Sequence, residues 1–163
     1  MSRFRGPIRS TSRGFVVAID RDEASLIRRL ADELRALLTE EGSDERAHAL
    51  LARLFPTAYA DDEELEAEYQ RLMREELVAS KLAALDVVDR ALADDAAPLD
   101  ESGLLAFMQS VNSVRLVLGT MLEVSDEPDA DEVRPGLEQS PEYALYSYLS
   151  WLLEHCVRAL SGR

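Results

Sequence analysis

The chain has 163 residues, 47% of them hydrophobic and 31% charged, and its 18 basic residues against 32 acidic ones give a net charge of −14. That length suits one core, read here as a single domain over residues 1–163 that needs neither metal nor disulfide to hold together. The lone cysteine, Cys156, excludes an internal disulfide framework and fits a reducing cytoplasm; no apolar run approaches the roughly 18 residues of a membrane span, so no membrane partner is expected.

The opening MSRFRGPIRS carries arginines where a secretory leader needs an apolar segment. Residues 1–13 hold Arg3, Arg5, Arg9 and Arg13 and no acid, so the rest of the chain carries about −18. Alternation from Arg3 to Arg9, then the Ser10-Thr11-Ser12 turn signal and the β-rich run Gly14 to Ile19, predict a β-hairpin over residues 3–19, with Pro7 restricting the first strand to an edge. From Asp20 the period becomes helical. Asp20 and Glu23 have capping-box spacing, and Leu26, Ile27, Leu30, Leu34, Leu37 and Leu38 follow until Gly42. Ser43 caps a predicted second helix that stops before Pro56.

Asp61 and Glu64 open a long third helix reaching about Asp94, whose Ala79, Ser80, Ala83 and Ala84 are small enough for another helix to pack closely. Asp100 caps a fourth helix carrying Leu104, Leu105, Met108, Val111, Leu118 and Leu122. Residues 125–139 are rich in acids and read as a solvated loop, after which Ser140-Pro141 starts a fifth helix ending at Gly162. The expected fold is all-α: a five-helix bundle over residues 20–161 behind a short N-terminal β-hairpin.

Chemistry-bearing motifs are sparse. The seven glycines form no phosphate loop, dinucleotide fingerprint or nucleophile elbow, which excludes enzymes built on them, and no catalytic residue or cofactor is expected. His48 and His155 are the only histidines, and His155 and Cys156 project about 100° apart on a helix, so no metal site is expected. Asp129-Ala130-Asp131 lacks the turn glycine of a calcium loop. Arg115 lies in the otherwise apolar run Val111 to Gly119, where an unpaired charge is costly. The expected arrangement is a clamp of Asn112 and Arg115 on Glu75 or Glu76, with a ligand-facing arginine as the alternative. Cys156 sits on the stripe Leu149, Leu152, Leu160 and reads as a buried thiol rather than a redox sensor. Tyr143, Tyr146, Tyr148 and Trp151 leave room for an aromatic contact patch, assigned to Tyr146 and Trp151.

Arg53-Leu54-Phe55-Pro56 with Ala58-Tyr59, Tyr69-Gln70-Arg71-Leu72, Ser80-Lys81-Leu82, Asn112 to Leu116 with Leu118-Gly119-Thr120, and Leu145-Tyr146 with Trp151-Leu152 occur in that order along the chain. Together they resemble the AosR-like family of actinobacterial oxidative-stress transcriptional regulators, formerly a domain of unknown function. The resemblance implies a cytoplasmic, non-enzymatic regulator working through a protein partner, with the transcription machinery as the first candidate. A sensor that closes an internal disulfide needs two cysteines, and this chain has one. Two readings therefore stand: such a regulator, or an adaptor or scaffold in a proteolysis or metabolic complex that does not touch DNA. Arg3, Arg5, Arg9 and Arg13 are the one surface suited to DNA or an acidic partner, or they only shield an edge strand. A second copy of the chain is a further candidate partner.

Overall fold

A computed structural model describes residues 6–39, 50–55, 57–122 and 141–162. Among them are an antiparallel hairpin, β1 (Ile8–Thr11) and β2 (Gly14–Val17), and four helices: α1 (Arg21–Thr39), α2 (Glu63–Ala91), α3 (Glu101–Met121) and α4 (Pro141–Ser161). The chain is thus mostly helical as expected, with four described helices where five were predicted. The difference is the second predicted helix. Its residues 43–49 lie outside the described residues, Leu50 and Leu51 are helical, and its end tightens into a single 3-10 turn, Ala52–Leu54. Phe55 then leaves the helical region, φ −123° and ψ 80°, as the residue before a proline is driven to do. The predicted acidic loop 125–139 and the cap Ser140 also fall outside the described residues.

Among the described residues the hairpin starts at Ile8, after Gly6 and Pro7; Arg3 and Arg5 of the predicted strand lie outside the described residues. Its register runs from Ile8↔Val17 to Thr11↔Gly14 and leaves Ser12 and Arg13 as the two-residue turn. Gly14 sits at φ 134°, and a side chain there would run into the carbonyl oxygen of Leu99, so only glycine fits. Beside it, Phe15 exchanges both backbone hydrogen bonds with Leu99, at 2.8 and 2.7 Å. That third partner drives Phe15 into the core at 1% exposure. β1 lies against α4 and β2 against α3, so the first and last described elements meet.

Three aspartates start helices by accepting hydrogen bonds from otherwise unpaired N–H groups. Asp20 accepts from Glu23 at 2.8 Å, and Asp100 from Gly103 at 2.7 Å. The cap of α2 is Asp62, one residue after the predicted Asp61; its carboxylate takes the N–H of Glu64 and of Leu65, both at 3.1 Å. α3 runs through the centre, touching α1, α2 and α4. Its Leu104, Phe107 and Val111 are buried in one cluster with Ile27 and Leu34 of α1, Leu85 and Val88 of α2, and Leu149 and Leu152 of α4. Each such burial contributes on the order of 1.5–3 kcal/mol. α3 is also long and apolar enough to cross a membrane, a property that its central place in the bundle accounts for.

Candidate functional site

Four groups of predicted residues find definite positions. Arg115 reaches across from α3 to α4: Nη1 donates to the Ser150 hydroxyl at 3.2 Å and Nη2 to Asn112 Oδ1 at 2.9 Å. Its guanidinium lies over the Tyr146 ring, 5.7 Å from the centroid. The Ser150 hydroxyl donates in turn to the Tyr146 carbonyl at 3.0 Å. The expected carboxylate clamp is therefore replaced. Glu75 and Glu76 are exposed on α2, and Arg115 is held by neutral oxygens and a π face. Its Nε is buried with no partner among the described residues.

The predicted pairing of Tyr146 with Trp151 separates into two places. Tyr146 packs on α3, where a Cβ on Gly119 would come within 3.0 Å of its ring. Trp151 is 44% exposed and stacks against Tyr148, at 5.7 Å between centroids, and His155, at 4.7 Å. Five residues of helix turn the two side chains about 140° apart, which the sequence spacing already contained. The Tyr148 hydroxyl donates to Glu23 of α1 at 2.9 Å, and burial followed by that carboxylate raises its pKa well above the ordinary tyrosine range. Cys156 is fully buried, and burial pushes its thiol up to about 12. Arg9 and Arg13 are exposed on the hairpin, whereas Arg3 and Arg5 lie outside the described residues.

One concavity was not anticipated. A cleft of about 330 Å³ opens between α2 and α3, lined by the buried Leu34, Leu54, Leu85, Ser110 and Ser113 and by the more exposed Arg53, Lys81 and Asn112. Of the four small residues expected to receive another helix, Ala79, Ser80 and Ala83 are exposed and Ala84 is half-buried. Ser80 and Ala84 line the cleft, and their small side chains leave the wall of α2 low there. Lys81, the only lysine in the chain, is half-buried and makes no ion pair or hydrogen bond among the described residues, and burial lowers its pKa. Ser110 Oγ is buried without a hydrogen-bond partner among the described residues. Asn112 belongs both to this cleft and to the Arg115 contact.

Comparison with known proteins places this arrangement in a family. A family model described as a domain of unknown function, DUF2017, matches residues 1–160. The chain belongs to the DUF2017 family. A DUF2017 chain of this kind is similar to a protein of Mycobacterium leprae (strain TN) provisionally named oxidative stress regulator AosR, with 28% identity over 173 aligned residues, covering 85% of this chain and 78% of that relative. Both findings agree with the family resemblance carried by the motifs from Arg53 to Leu152. No solved structure matches this DUF2017 chain with comparable significance.

Proposed function

We propose that this DUF2017 protein is a non-enzymatic cytoplasmic regulator of the oxidative-stress response that acts on transcription through protein contacts. The similarity to AosR over most of the chain supports the regulatory reading. The observation that carries the mode of action is the burial of Cys156: a fully buried thiol raised to about 12 is protonated at neutral pH, and the thiolate is the form that peroxide attacks. Oxidant information therefore reaches this protein from a partner rather than through its own folded-state cysteine. The exposed Trp151 with Tyr148 and His155 offers a contact face on α4, and Arg9 and Arg13 a positive edge on an otherwise acidic molecule.

The test is crosslinked affinity capture from cells with and without peroxide, using the wild type and Trp151→Ala. Recovery of RNA polymerase subunits that changes with peroxide and falls several-fold in Trp151→Ala supports the proposal. Recovery of a protease or a metabolic complex in their place identifies the adaptor instead and overturns it.

A further inference from the structure

We propose that the cleft between α2 and α3 binds a small organic acid, its carboxylate held by Lys81 and Arg53 and its short apolar body lying over Leu54 and Leu116. The charge pattern is the first reason. In a chain with 32 acids and 18 bases, the cleft lining among the described residues holds two cations and no carboxylate. Lys81 is half-buried with no counter-ion among the described residues, an arrangement that costs solvation and returns nothing until an anion arrives.

The second reason is independent of charge. Ser110, which lines the cleft, is 3% exposed, and its hydroxyl has no partner among the described residues. Buried hydroxyls are nearly always paired, so an unpaired one on a residue that lines the cleft is a donor for a bound acceptor. The volume, about 330 Å³, exceeds what a bare oxyanion fills and lies at the lower end of small-ligand pockets. The lining leucines give the remainder an apolar surface, which suits a short hydrocarbon body better than a second charged group.

The experiment is an amide chemical-shift titration of the full chain with hexanoate, hexanamide and inorganic phosphate, at ionic strength held constant with chloride. Hexanoate is expected to give saturable shifts at Ser110, Ser113 and Lys81. Hexanamide should bind about ten-fold or more weakly, because a charge-assisted contact is lost. Lys81→Gln should weaken hexanoate by a similar factor, Lys81→Arg should retain it, and Arg90→Gln, an exposed cation on the same helix, should leave it unchanged. Equal binding of hexanoate and hexanamide, an unchanged Lys81→Gln, or shifts confined to the hairpin around Arg9 and Arg13 would each overturn the assignment. Phosphate binding tighter than hexanoate would replace the organic acid by a bare oxyanion, and overturn it as stated.

Discussion

Arg115 reaches a hydroxyl 35 residues away on another helix instead of a carboxylate, and that choice of partner sets what its removal costs. Breaking a buried ion pair strands a charge and costs about 3–5 kcal/mol. Here the groups left behind are Asn112, Ser150 and the ring of Tyr146, all neutral. Arg115→Ala is therefore expected to lose about 1–3 kcal/mol in urea denaturation, the range for a hydrogen-bonded charged donor. Glu75→Gln and Glu76→Gln, exposed and uninvolved, should stay within about 0.5 kcal/mol of wild type. A large loss in either glutamate variant would restore the carboxylate clamp. Cys156 makes a prediction of a different kind. Its pKa rises from about 8.5 in the unfolded chain to about 12 in the fold. The unfolded chain thus releases this proton first as pH climbs, and stability falls from about pH 8.5 towards 12. Cys156→Ala should flatten that slope between about pH 8.5 and 10, below the range in which Tyr148 contributes. Native-state labelling of the thiol at pH 8 should be slow, limited by opening of the structure.

At the scale of elements, helix starts are legible in the sequence because a capping carboxylate acts within three residues of itself. Asp20 and Asp100 satisfy that local rule without ambiguity. Asp61 and Asp62 both satisfy it, and the backbone chooses Asp62, extended at φ −138°. What joins one helix to another is not local, and the sequence does not display it. Arg35 on α1 is one more basic residue in a list of 17 arginines, yet it donates to Asp32 at 2.7 Å and, across to α2, to Asp86 at 3.1 Å and Asp89 at 3.0 Å. One arginine therefore holds three carboxylates near one another. Arg35→Gln is expected to lower stability by about 1 kcal/mol at low salt, as a network exceeds an isolated surface pair. Because these acids are partly exposed, the loss should shrink as salt approaches about 1 M. Thermal melts at both salt concentrations check this; a loss independent of salt would mean that packing of the arginine stem, not charge, is what matters.

For the whole molecule, periodicity conveys the class of fold, since a stripe of leucines at helical spacing has to be buried against something. It does not convey where a surface stays open. Ser80 and Ala84 have the same composition whether a helix covers them or a cleft lies beside them, and the difference arises only when α2 and α3 are set side by side. Lys81 appears among the family motifs, but its lack of a counter-ion is visible only in three dimensions.

The contact between β1 and α4 joins the first described strand to the last helix, and this has a consequence for synthesis. At translation rates of about 5–20 residues per second, the strand leaves the ribosome on the order of ten seconds before the helix that covers it. For the first part of that interval, until Leu99 and α3 follow it out, Phe15 lacks both the bridge and the helix it packs on in the finished fold. A nascent strand with open backbone groups is a template for pairing with a neighbouring chain on the same messenger, and charges along it oppose that. Arg9 and Arg13, exposed on the completed hairpin, are in position to give nascent chains this protection before any partner is met.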